Sequence, residues 1–313
     1  MSASIDFDGP WKAALEELLE PCFGLLFTAA HQAIDWSVPP RFLDTVLQQI
    51  APGGGNSPRT VDKLVEVRQR SGLPSWVLVH IEVQSQEQRE FEARMFDYHA
   101  RIWLQYQRPI VSLAVLGDER PTWRPREFGY KLWGCDLRLR FPTAKLHDYR
   151  ARMAELEASR NPFATVVLAH LLAQDTRNDP SARAHFKLML TRRLYRLGYT
   201  RTQILQLYHF IDWLLQLPPD LEAQTLQQIK AFEEEEQMNY ISYAERIGLE
   251  QGRIEGLILA LEVKFGPLAE PLLPEIRQLH DLAQIEAVYQ AVRTAKTVGD
   301  VRRAYAQPES ASQ

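Results

Sequence analysis

The chain reads as an α/β domain followed by an all-helical region. That reading rests on three features of the sequence. Two β-rich runs joined by a turn fill Val61 to Gln84, a strand–helix–strand succession runs from Trp76 to Leu116, and no strand pattern appears beyond about Tyr149.

The elements follow in chain order. Trp11, Leu15, Leu18, Leu19, Cys22 and Leu26 recur at helical spacing, which predicts one amphipathic helix over 11–27. A short helix is expected over 40–50, ended by the breaker Pro52-Gly53-Gly54-Gly55-Asn56. The period then changes. Val61–Val67 and Trp76–Gln84 read as two strands of a hairpin with its turn near Gly72. Gln86 to Tyr106 carries an apolar stripe of Phe91, Met95, Tyr98 and Ile102, and Pro109 stops that helix before a buried strand, Ile110–Leu116. A strand, a long helix and another strand form a crossover unit, so the two strands should be parallel. Asp118 to Gly134 is expected as a long loop, with one more strand where Leu137, Leu139 and Phe141 alternate with Arg138 and Arg140. Helices are predicted over 161–174, 182–197, 201–217 and 222–265, with Gly266-Pro267 as a stop signal. The domains drawn from this are 1–149 (α/β), 150–306 (helical, with the long helix near 222–265) and a frayed tail, 307–313.

Composition narrows the function classes. With 313 residues, 45% hydrophobic and 24% charged, the chain has the make-up of a folded globular protein. No apolar run approaches the length of a membrane span, and the acidic N-terminus (Asp6, Asp8) is unlike a signal peptide, so a cytoplasmic protein is expected. Two cysteines, Cys22 and Cys135, are too few for a disulfide framework or a zinc site. The net charge of −4 argues against coating nucleic acid by bulk electrostatics, although basic residues outnumber acidic ones between Arg59 and Arg150.

Strand alternation then singles out a polar face. Val77, Val79, Ile81 and Val83 share one side of the second strand, leaving His80, Glu82 and Gln84 on the other. A turn near Gly72 brings Asp62 about opposite Glu82. Opposed β-carbons lie roughly 4.5–5.5 Å apart, where two unpaired carboxylates repel. A divalent cation turns that repulsion into attraction, and magnesium takes such hard oxygen ligands. A slip by one residue would send the two to opposite faces.

These residues carry a resemblance. Thr60-Val61-Asp62-Lys63-Leu64-Val65 and His80-Ile81-Glu82-Val83-Gln84-Ser85, then Arg94-Met95-Phe96-Asp97-Tyr98, Ile102-Trp103 and Arg108-Pro109-Ile110-Val111-Ser112-Leu113-Ala114-Val115-Leu116, resemble the PD-(D/E)XK nucleases. The match is nearest to the bacterial recombination-promoting, transposase-like nucleases, and covers roughly Trp11 to Tyr149. The resemblance implies a restriction-endonuclease-like core, a mixed sheet flanked by helices, over residues 1–149. It also implies Mg²⁺- or Mn²⁺-dependent cleavage of DNA, with RNA left open. Asp62, Glu82 and the carbonyl of Val83 would hold the metal, Gln84 would orient the attacking water, and Glu17 would add a carboxylate from the first helix. Gln84 stands where that superfamily usually has lysine, and a neutral amide stabilises charge less strongly than a cation. The alternative reading is a nuclease fold that binds nucleic acid or protein without cutting.

Other features have readings of their own. His80 is expected as a packed, hydrogen-bonded histidine, with phosphate contact as the alternative. Arg120, Trp123, Arg124, Arg126 and Lys131 interleave basic and aromatic character, which suits nucleic-acid contact. Gly248, Gly252 and Gly256 recur every four residues and would give a smooth helical stripe for self-association, with packing inside the monomer as the plainer reading. Glu233 to Glu236 reads as a solvated helix face.

Overall fold

The β-rich runs of the sequence assemble into a mixed five-stranded sheet and a separate two-stranded ribbon. The computed structural model describes residues 8–43, 61–71, 75–237, 240–241, 257–258, 260–261, 264–276, 288, 291–292, 295 and 297–303. Its strands are β1 (Arg41–Phe42), β2 (Val61–Arg68), β3 (Trp76–Gln84), β4 (Ile110–Leu116), β5 (Glu127–Leu132), β6 (Cys135–Arg140) and β7 (Thr143–Lys145). The sheet order is β1-β2-β3-β4-β7, antiparallel from β1 to β3 and parallel from β3 to β7, while β5 and β6 form the ribbon. The helices of this region are α1 (Asp8–Glu17), α2 (Leu19–Leu26), α3 (Thr28–Ala33), α4 (Phe91–Tyr106), α5 (Met153–Ala158), α6 (Pro162–Asp175), α7 (Pro180–Arg196), α8 (Arg201–Leu214) and α9 (Pro219–Glu235).

Pleating divides the sheet into two covered faces. On one, α4 lays Phe91, Met95, Tyr98 and Ile102 over Leu64, Leu78, Ala114 and Leu116. Each such side chain, fully buried, contributes roughly 1.5–3 kcal/mol. On the other face, Lys63 is buried and its ammonium donates to Glu16 of α1. Trp11 of α1 packs edge-on to Phe163 of α6 and Phe210 of α8, with ring centroids 5.8 and 6.0 Å away. Helix α6 is apolar on nearly every side and buried along Phe163–Gln174, as befits the inner helix of this layer. Asn161 caps its start by accepting from Phe163 N (2.8 Å), with Pro162 in the first turn where no N–H is needed. Its far end is pinned to the sheet. The carbonyl of Gly117, just past β4, accepts from His170 Nε2 (2.8 Å) and Gln174 Nε2 (2.5 Å). A β-carbon at Gly117 would sit 2.8 Å from the His170 ring, which is why a side chain is missing there.

Several expectations are corrected. The helix expected over 11–27 is two helices with a break at Leu18. Pro21 has no N–H to give Glu17, and its ring would collide with that carbonyl. Arg41–Phe42, expected as the start of a helix, is extended and pairs with Glu66 and Val65; the rest of that expected helix, 44–50, lies outside the described residues. The expected loop over 118–134 contains β5. Both faces of β5 are largely exposed, so its sequence carries no burial alternation. The helix expected over 222–265 starts at Pro219 and stops at Glu235, with Gln237 at φ 55; consecutive glutamates disfavour the negative C-terminal end of a helix dipole.

The chain divides into two compact units, Met1–Phe232 and Glu233–Gln313. Helix α6 packs on α2 and α8, and α8 packs on α1, so both go with the sheet. In the second unit, Leu257, Leu261, Ala269, Leu272, Ile276, Val288, Val292 and Val301 form an apolar core. Gly266 takes φ 55 at the expected stop signal. Glu233 is buried instead of solvated, and accepts from the backbone N–H of Tyr240 (2.9 Å) and Ile241 (2.7 Å). Gly248, Gly252 and Gly256 lie outside the described residues. No helix among the described residues is long and apolar enough to cross a membrane.

Candidate functional site

Central strand β3 carries the polar cluster, and the hairpin register decides what faces it. Asp62 pairs with Glu82 and Leu64 with His80, so the even register expected from the sequence is the one formed. In the parallel direction, His80 pairs with Ser112, Glu82 with Ala114 and Gln84 with Leu116. The side chains of Val61 and Asp62 lie outside the described part of the structure.

Glu82 is fully buried, which a carboxylate tolerates only with a compensating charge or hydrogen bonds. Helix α4 supplies a cation. One nitrogen of Arg94, Nη2, donates to Glu82 Oε1 (2.5 Å) and to Gln84 Oε1 (2.6 Å). The guanidinium lies over the Phe91 ring, 5.2 Å from its centroid, and Nη1 reaches Gln88. Gln84 is held at both ends, because its own amide nitrogen donates to the Gln86 carbonyl (2.9 Å). Arg94 therefore brings one positive charge to both Glu82 and Gln84.

The other half of the cluster is unsatisfied. His80 is fully buried, and neither of its ring nitrogens has a hydrogen-bond partner, so the expectation of a hydrogen-bonded histidine is corrected. Among the described residues, Glu82 Oε2 lies 3.8 Å from His80 Nε2 and is itself without a hydrogen bond. The Tyr98 ring packs against the imidazole at 5.1 Å. Burial first, then the charges of His99 and Arg94, push the His80 pKa down to about 3, so the ring is neutral at ordinary pH. His99, whose pKa burial also lowers, shares a hydrogen bond with Ser112 Oγ at 3.0 Å.

Of the remaining expected site residues, only Val83 adjoins this cluster, through the backbone it shares with Glu82 in β3. Glu17 is exposed on α1, across the sheet from Glu82, where it borders an apolar groove with Leu18, Phe210 and Trp213. Its neighbour Glu16 spends its carboxylate on Lys63. Val83 is buried on the face away from Glu82, with Val61 and Val115 as its ladder partners. Trp123 points inward, its ring 5.5 Å from Phe91 and beneath the Lys145 ammonium at 5.5 Å. Arg124 forms a two-pronged ion pair with Asp148 (2.8 and 2.6 Å), Arg120 pairs with Glu87, and Lys131 pairs with Asp136 at 2.9 Å. Arg126 stays on the surface. The most exposed aromatic of this region is Trp133, 97% exposed and at φ 49 in the two-residue turn of the β5–β6 ribbon. Sequence reading missed it, although Trp133-Gly134 between two short runs is a hairpin signal once β5 is recognised.

Among the described residues no group of three His, Cys, Asp or Glu side chains is placed to hold a metal ion. Comparison with family models, with curated proteins and with solved structures gave no match for this chain.

Proposed function

We propose that the chain is a metal-dependent phosphodiesterase that cleaves DNA, with the restriction-endonuclease-like core of the recombination-promoting nucleases it resembles in sequence. The observation that carries this reading is the register pair Asp62–Glu82 on a buried strand, with a cation already drawn to Glu82 and one carboxylate oxygen left without a partner. An orphaned buried carboxylate oxygen fits a positively charged ligand better than it fits a packed core. Asp62, Glu82 and the Val83 carbonyl would hold the ion. When bound, it would neutralise phosphoryl charge and make water a better nucleophile. Arg94 and Gln84, locked together, present a guanidinium and an amide beside that position. A guanidinium suits a phosphodiester anion, and so takes over the electrostatic part of the absent lysine. Glu17 and the basic residues near Trp123 have no part in this version of the site. DNA recombination or mobile-element processing is the setting that the resemblance implies.

Plasmid nicking with Mg²⁺ or Mn²⁺ tests the reading on wild type, Asp62→Ala and Glu82→Ala. Nicking by the wild type alone is expected. Equal nicking by all three would place the activity elsewhere. A second reading, a nucleic-acid-binding module that does not cut, draws on the complete burial of Glu82 beneath Arg94. DNA retention by all three proteins without nicking would favour it.

A further inference from the structure

We propose that His80 is a metal ligand, joining Glu82 and the opposed Asp62 around one divalent first-row transition ion, manganese or zinc in preference to magnesium. This rests on the metal reading above and names the ion class and an additional ligand for it. Three independent observations converge. First, His80 is fully buried with both ring nitrogens unpartnered, a costly arrangement for an imidazole kept only to fill space. Secondly, Nε2 faces Glu82 Oε2 at 3.8 Å, and that oxygen is also unpartnered. The gap is too long for a direct hydrogen bond. It is within reach of two ligands that each sit about 2.0–2.2 Å from a shared ion. Thirdly, the i, i+2 spacing on β3 puts both groups on one face, and the register sets Asp62 across from Glu82.

Charge and ligand chemistry agree. Asp62 and Glu82 carry two formal negative charges, Arg94 one positive, and a ligating imidazole none. A divalent ion leaves the cluster with one positive charge, which a single phosphodiester anion balances. Arg94 occupies Glu82 Oε1 and leaves Oε2 for the ion. Imidazole nitrogen suits zinc, cobalt and iron better than magnesium, which prefers oxygen and retained water. Tyr98, packed on the ring, fixes its plane.

Cobalt(II) is the probe, added to full-length protein stripped with chelator and followed by visible absorption and thermal unfolding. Wild type is expected to bind one Co²⁺ per chain, to show ligand-field bands and a raised Tm, and to keep the ion against excess Mg²⁺. His80→Leu should lose at least about tenfold in Co²⁺ affinity, with altered bands, while its metal-free Tm matches or exceeds the wild-type value. His80→Asn, a polar replacement that cannot supply an imidazole nitrogen, gives the same comparison if the leucine variant does not fold. Unchanged affinity and bands in these variants would overturn the proposal, as would a wild type that binds no Co²⁺. The nuclease reading fails separately: Co²⁺ bound through His80 without any metal-dependent nicking would remove the activity and keep the ligand.

Discussion

Replacing Arg94 with methionine isolates the electrostatics of the candidate site. Met keeps much of the aliphatic stem over Phe91 but removes the charge that neutralises Glu82. Glu82 is wholly buried and the Arg94 side chain is only 16% exposed, so solvent can do little to compensate. Unit charges about 4 Å apart attract by about 4 kcal/mol at an effective dielectric near 20. Independently, stripping one partner from a buried pair costs about 3–5 kcal/mol. The two figures agree, and a loss of that size lowers a urea midpoint by roughly 1–2 M for m-values near the top of the usual range. Tryptophan fluorescence is the assay, because all seven tryptophans fall within Met1–Phe232 and report that unit alone. Glu82→Gln/Arg94→Met removes the stranded charge as well and should recover much of the loss. A single variant as stable as wild type in chelator, or a double variant no better than the single, would refute the idea that Arg94 is the counter-charge of this cluster.

Two other measurements bear on the scaffold. His170, buried between Trp11 and Gly117, has its pKa pushed down to about 4, chiefly by burial. The unfolded chain binds a proton near pH 6.5 that the fold refuses, so stability is full above that pH and falls as pH drops towards 4. The fall should reach about 3 kcal/mol, read as urea midpoints across the range; His80 pulls in the same direction, and an identical pH slope in His170→Leu would count against this account. Trp133→Asn should raise stability by about 1 kcal/mol or less, because asparagine tolerates the left-handed backbone better than tryptophan. A lowered Tm would mean that the exposed indole holds part of the molecule together.

The sequence disclosed the sheet that frames the site more fully than it disclosed the site. Val77, Val79, Ile81 and Val83 alternate cleanly, and Ile110–Leu116 is a nearly uncharged run between a proline and a glycine, so β3 and β4 declare themselves. The parity that unites Asp62 and Glu82 follows from the same alternation. Strand β5 stayed hidden because it is exposed on both sides, and Pro21 was overlooked within an otherwise helical pattern. The contact of Arg94 with Glu82 depends on how α4 docks across β3, which no local pattern encodes. His80 shows the same limit. Its face is legible from spacing, whereas its lack of any hydrogen-bond partner is a property of the assembled core.

Gly117 ties these layers into one mechanical unit. Its N–H donates to the Gln84 carbonyl (2.9 Å), while its own carbonyl receives the side chains of His170 and Gln174 from α6. A single residue thus links the last rung beside the polar cluster to a helix beneath the opposite face. Only two hydrogen bonds and this residue separate α6 from the Gln84 backbone, so substitutions in the helical layer that shift His170 or Gln174 are expected to be felt where Arg94 and Gln84 meet.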